Sequence, residues 1–197
     1  MQNIMTQEME AKLILVGDSN VGKTSIINRF VNDEFKESII PTLSSNYSMK
    51  VIKVDSITVR LQIWDTAGDE KYRSIVPMFY RGSQAAFIVY AIDDSKSFEN
   101  VKIYVESLQS VLAPENLALF LVANKIDKAD SRKISSEEGE KCAQQIKATF
   151  LEVSALSGQG ITEIFNLAAA QIAEKQDKQI QQKVDMPNNA EPNNCNC

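Results

Sequence analysis

Residues 64 to 70 read WDTAGDE, a tryptophan and three carboxylates with no cation before Lys71. Such a stretch is a solvated acidic turn, a metal cluster, or part of a site in which one acid is chemically out of place. Upstream, GDSNVGKT at Gly17 to Thr24 fits G-x-x-x-x-G-K-[ST] between an apolar run and a helix-like segment. There Gly17 and Gly22 let the backbone wrap closely, and the amides from Ser19 through Asn20, Val21 and Gly22 to Ser25 can face phosphate oxygens. Lys23 adds a point charge and the Thr24 hydroxyl can ligate Mg²⁺. The bland alternative is a glycine turn before a helix with a surface lysine.

Three further segments could complete a nucleotide site. In NKID, Asn124 to Asp127, the Asp127 carboxylate can accept from both the ring N–H and the exocyclic amine of guanine, a donor pair adenine lacks, with Asn124 and Lys125 beside it. Taken alone, N-K-x-D is an ordinary polar loop. VSALSG, with Ser154, Ala155 and Leu156, could bring two amides near the guanine carbonyl or be a small-residue turn. Phe35 could stack on the base or belong to the core. Within WDTAGDE, Asp65 can hold Mg²⁺ through a water, and Gly68 can bring its amide to a γ-phosphate. A cage of carboxylates is not expected, because Mg²⁺ normally takes one or two plus substrate phosphates. Asp69 and Glu70 are then left without a phosphate-binding role.

The elements that must position these groups are legible in the hydropathy pattern. LILV at 13 to 16, AAFIVYAI at 85 to 92 and LALFLVA at 117 to 123 fit strands covered on both faces. Helix-like segments follow at about 23 to 31, 96 to 112 and 135 to 147, and this alternation predicts an α/β doubly wound fold. NYSMKVIKV and ITVRLQIW alternate apolar and polar residues and form a hairpin through Asp55 and Ser56. ATFLEV at 148 to 153 is a last strand, and 161 to 173 a last helix. Ligands of open α/β sheets bind beyond the carboxyl ends of the strands, which is where every segment named above falls.

The chain has 197 residues, 44% of them hydrophobic, enough for one domain with a substantial core. A net charge of -5 argues against a nucleic-acid surface. No apolar run is long enough to span a bilayer and no secretory signal is evident. The three cysteines, Cys142, Cys195 and Cys197, form no disulfide framework, and the absence of histidine excludes a Ser-His-Asp triad and imidazole metal ligands. From about Glu174 the composition turns to Gln, Asn, Lys and Pro and predicts a disordered tail. The expected organisation is an extension at 1–9, a domain at 10–174 and a tail at 175–197.

Together GDSNVGKTS, Pro41-Thr42, WDTAGDE, YRSIVPMFYRG, NKID and VSAL make residues 10 to 173 resemble a Ras-superfamily small GTPase of the Rab branch. The resemblance implies a P-loop NTPase small G domain, with a six-stranded, mostly parallel sheet and helices on both faces, binding GTP or GDP with Mg²⁺. It implies that Thr42 closes on Mg²⁺ and the γ-phosphate in the GTP state, joining Thr24 and Asp65 at the metal and Lys23, Gly68 and the residue at 69 in hydrolysis. Two segments, about 36 to 47 and 65 to 81, would be ordered by the γ-phosphate and relax after hydrolysis. Tyr47, Trp64 and Phe79 fall where Rab proteins expose three aromatics to effectors, although they also suit a hydrophobic patch beneath the hairpin. The terminal CNC resembles the Rab signal for geranylgeranyl groups on Cys195 and Cys197; an unmodified polar tail is the alternative. Implied partners are effectors, an exchange factor, an activating protein, an escort protein and a GDP-dissociation inhibitor. The implied form is a monomer, divided between cytosol and the cytoplasmic face of an intracellular membrane and regulating vesicle traffic.

Three departures stand out. Asp69 occupies the position of the family's glutamine, Ser44 replaces a glycine two residues after Thr42, and Leu156 replaces the lysine of SAK. An ionised aspartate has no donor, is a methylene shorter than glutamine and repels the γ-phosphate, so slow intrinsic hydrolysis is expected. Two alternatives stay open: activating proteins of Rab type commonly supply an arginine and a glutamine in trans, which would preserve stimulated hydrolysis, and the aspartate could itself position water as a carboxylate. A rival reading is an effector-binding module held in its GTP form. A small-molecule phosphotransferase would leave NKID and Thr42 unexplained.

Overall fold

The computed structural model describes residues 7–37, 42, 45–72 and 74–184, with the side chains of 7 and 179–184 excepted. Six strands form one sheet: β1 (Gln7–Val16), β2 (Ser45–Val54), β3 (Ile57–Thr66), β4 (Ala85–Ala91), β5 (Ala118–Asn124) and β6 (Thr149–Glu152). Their order across the sheet is β2-β3-β1-β4-β5-β6, with β2 antiparallel to β3 and the remaining pairs parallel. The chain leaves β1 for neighbours on opposite sides, so the crevice beyond its carboxyl end is a topological switch point.

Alternate residues of the same strands feed two cores. Leu13, Leu15, Phe87, Val89, Phe120 and Val122 pack with α1 (Lys23–Asn32) and α5 (Ile161–Val184). Ile14, Val16, Ile88, Tyr90, Leu121 and Ala123 pack on the other face with residues of α3 (Val101–Gln109) and α4 (Ser136–Gln145). This double burial explains the unbroken apolar runs, and β4 is buried at every position. In the hairpin Asp55 takes the left-handed conformation, φ 49°, that a tight two-residue turn requires and that aspartate tolerates.

Two boundaries differ from expectation. β1 begins at Gln7, within the expected extension, because Glu8 and Glu10 still pair with β3 and reach Arg60 and Gln62 through their side chains. The last helix does not stop at 173 but runs to Val184. The extension contains no Gly or Pro, Gln and Lys are good helix formers, and Lys178 bonds Glu174 one turn back. Lys175 Nζ also donates to the carbonyls of Glu115 and Leu117. The segment expected as one helix at 96 to 112 is α2 (Ser95–Glu99) and α3, meeting at Asn100. Cys195 and Cys197 lie outside the described residues, as does Ser44.

Candidate functional site

Beyond the carboxyl edge of the sheet opens a cavity of about 470 Å³. Of the residues expected there, Ser19, Asn20, Gly22, Lys23, Thr24, Ser25, Phe35, Thr42, Gly68, Asn124, Lys125, Asp127, Ala155 and Leu156 line it. Its lining joins the first loop to the loops after β5 and β6.

At the first end the Gly17–Gly22 loop turns into α1. Gly22 has φ 96°, and a Cβ there would stand 2.4 Å from Asn124 Nδ2, so neither conformation nor space admits a side chain. Lys23 is buried, its Nζ donating to the carbonyls of Gly17 at 2.7 Å and Asp18 at 2.8 Å. Burial pulls its pKa down to about 8, while Asp65 and Asp18 oppose the shift. Phosphate anions against this ammonium would favour its charged form and so oppose the effect of burial. Gly68 approaches so closely that a Cβ would lie 2.5 Å from both Lys23 Nζ and the Asp18 carbonyl.

The three expected metal ligands meet beside Lys23. Thr24 Oγ1 donates to Asp65 Oδ2 at 2.6 Å, Thr42 Oγ1 donates to the same oxygen at 3.2 Å, and the two hydroxyls are 3.1 Å apart. Burial pushes the Asp65 carboxyl above its ordinary range, with the two threonine bonds and Lys23 opposing. Asp65 Oδ1 is buried without a hydrogen-bond partner among the described residues. Hard oxygen donors around a desolvated carboxylate suit Mg²⁺.

At the other end the residues divide into those that face the cavity and those that hold them. Asn124 is 1% exposed and ties two loops together: its Nδ2 donates to the Val21 carbonyl at 2.8 Å and its Oδ1 accepts from the Ala155 amide at 3.2 Å. Val21 therefore sits in the core rather than on the cavity, and the Ala155 amide is engaged with Asn124. Ser154, fully buried, donates its hydroxyl to Asp127 Oδ1 and so fixes the carboxylate from behind. Phe35 packs on the core and also lines the cavity.

Two site residues escaped the sequence reading because only the fold brings them near. Arg29, on α1, donates through Nε to the Ala155 carbonyl at 3.0 Å and through Nη2 to the Leu156 carbonyl at 2.9 Å. Asp93, after β4, pairs with Lys128 at 2.7 Å and lies 3.7 Å from Lys125 Nζ. No local motif marks either. Arg29→Ala should lower the unfolding free energy of the nucleotide-free protein by about 1–3 kcal/mol for the carbonyl bonds lost, seen as a lower urea midpoint at unchanged m-value. An unchanged midpoint would mean that Arg29 does not hold the β6 loop.

Asp69 stands apart from the convergence. Its carboxylate accepts the Lys71 amide at 2.9 Å and its carbonyl accepts the Tyr72 amide at 3.0 Å, capping a short 3₁₀ turn over Glu70–Tyr72. It lines a separate cavity of about 200 Å³, with Tyr80, Tyr104 and Ser107, instead of the main one. The aromatic trio is contiguous: Trp64 lies 5.6 Å from Tyr47 and 6.1 Å from Phe79, ring centre to ring centre. Tyr47 is half-exposed while Trp64 and Phe79 pack partly into the core, so the patch is both a surface and a support.

Comparison with known proteins accords with this geometry. The model of the Ras family matches residues 12–174, and the chain belongs to that family. It is 42% identical over 170 residues to the Ras-related protein RabC of Dictyostelium discoideum, covering 85% of this chain and 86% of the relative. To the Ras-related protein SEC4 of Candida albicans it is 39% identical over 168 residues, covering 85% and 80%, and to the Ras-related protein Rab-15 of Homo sapiens 36% over 170 residues, covering 86% and 80%. Within the Ras superfamily it is thus a GTPase of the Rab type, a GTP-binding hydrolase of membrane trafficking.

Proposed function

We propose that this chain is a trafficking switch that holds GTP and Mg²⁺ along the cavity rim and hydrolyses GTP slowly unless assisted. The observation that carries the slow step is the position of Asp69, bonded to the Lys71 amide and facing the smaller cavity. A carboxylate so engaged offers no donor to a transferring phosphoryl group, and its charge opposes the γ-phosphate.

The other roles follow from what each residue can do. The loop amides and Lys23 grip the phosphates; the Thr24 and Thr42 hydroxyls with Asp65 are the groups suited to Mg²⁺. When bound, Mg²⁺ supplies positive charge to the β- and γ-phosphate oxygens. Asp127 reads guanine, and Gly68 offers its amide to the γ-phosphate. Tyr47, Trp64 and Phe79 form the effector surface. Cys195 and Cys197 would carry two prenyl groups, which stable anchoring requires because the segment from 174 on has three Lys against four acids. An exchange factor, activating protein, escort protein and GDP-dissociation inhibitor are the partners this cycle needs, on the cytoplasmic face of an intracellular membrane.

Single-turnover hydrolysis tests the slow step. Asp69→Gln should speed phosphate release about tenfold or more, as expected when a water-orienting donor and acceptor replaces a repelling charge. Equal rates for the two proteins would refute the role given to Asp69.

A further inference from the structure

The Asp18 side chain has no part in the nucleotide contacts described above, yet two groups from beyond the sheet hold it. Asn100 Nδ2 donates to its Oδ2 at 2.7 Å, and the Tyr104 hydroxyl donates to its Oδ1 at 2.8 Å. Asn100 is the junction of α2 and α3, and Tyr104 is buried one turn into α3. Both oxygens of one carboxylate are therefore bonded to a single rigid feature, more than eighty residues away in sequence.

The backbone of Asp18 is where this matters. Its carbonyl receives Lys23 Nζ, and Gly68 packs against the same carbonyl so tightly that a Cβ would stand 2.5 Å from it. Tyr104 also lines the cavity under Gly68 and Asp69. One aspartate thus stands between α3, the phosphate loop's lysine and the glycine that must meet a γ-phosphate.

We infer that Asp18, gripped by Asn100 and Tyr104, is a positioning residue that fixes the phosphate loop for nucleotide retention and hydrolysis. It acts through Lys23 and Gly68 without touching the nucleotide. A carboxylate held at two points cannot rotate, so the peptide that follows it keeps the Lys23 and Gly68 contacts in register. Removing either donor frees one oxygen and lets the peptide turn. Two hydrogen bonds to a charged group are enough for a measurable change in the lifetime of the bound state.

The inference rests on reading Gly17–Thr24 as the phosphate loop, and the test separates the two. The measurements are dissociation of a fluorescent GDP analogue and single-turnover GTP hydrolysis, on the full chain with Mg²⁺. Tyr104→Phe keeps the ring and deletes only the hydroxyl; it should speed GDP release roughly three- to tenfold and slow hydrolysis by a comparable factor. Asn100→Asp sets two carboxylates together and should speed release by about tenfold or more. The exchanged pair Asp18→Asn with Asn100→Asp restores a donor and an acceptor at the same separation and still offers Tyr104 an oxygen. It should return release to within about twofold of the unmodified chain, a rescue that general loosening would not produce. Release from Tyr104→Phe indistinguishable from the unmodified chain, or an exchanged pair no slower than Asn100→Asp alone, would overturn the inference. An unmodified chain unable to hold GDP would instead remove the phosphate-loop reading and this inference with it.

Discussion

Asp127→Asn is expected to cost roughly two to four orders of magnitude in GTP affinity, the effect of losing two hydrogen bonds to a charged acceptor at about 1.5–3 kcal/mol each. The carboxylate offers two acceptors to guanine's ring N–H and amine. Asparagine keeps one acceptor, now uncharged, and turns its Nδ2 donor toward the other guanine donor, so one contact is weakened and the other becomes repulsive. Ser154, which donates to Asp127 Oδ1 from a fully buried position, limits how far the side chain can swing to avoid this. Xanthine carries a carbonyl where guanine has its amine, so the same variant should bind xanthosine triphosphate better than the unmodified chain does. Calorimetric titration of nucleotide-free protein with the two triphosphates measures both changes. If the variant kept its GTP affinity and gained none for the xanthine nucleotide, Asp127 would not be the base reader.

Asp127 is legible in the sequence for a physical reason. The Gly17–Thr24 and Asn124–Asp127 segments announce themselves because each compresses its chemistry into a few neighbouring residues. The strands that carry them, β1 and β5, were equally plain, since burial on both faces leaves an apolar run that needs no periodicity argument. What stayed hidden is the support. Arg29 reaches carbonyls at 155 and 156, and Asp18 is held by side chains at 100 and 104, pairings across the fold that leave no local trace. Asn124 shows the same limit from the other side: its motif marks it for the nucleotide and it lines the cavity, but nothing local shows that it also joins two loops through both its polar atoms. The end of α5 lies beyond its expected position for a different reason. Scarcity of apolar residues after 174 argues against a core contact, but a helix already nucleated on Ile164, Phe165 and Ile172 extends through good helix formers without one. Composition reports what a segment can bury; it does not report what its neighbour has already ordered.

Lys23→Met separates binding from stability more sharply than any other change. The ammonium is buried, and a pKa brought from 10.5 to about 8 means that the nucleotide-free fold disfavours its charge by about 3 kcal/mol. Its bonds to the Gly17 and Asp18 carbonyls, which are lost with the ammonium, offset part of what removing that charge gains. Methionine keeps most of the unbranched stem and has no charge to desolvate, so the nucleotide-free variant should unfold in urea within about 2 kcal/mol of the unmodified chain. Nucleotide binding has no such compensation: the triphosphate loses the one cation buried among the described residues. The expected loss in GTP affinity is roughly two to three orders of magnitude, larger than for a surface charge because the low-dielectric site strengthens each contact. A variant equally stable yet unable to retain GTP through gel filtration is the predicted result. A Lys23→Met chain that binds GTP within about tenfold of the unmodified chain would mean that the phosphates lie elsewhere along the cavity.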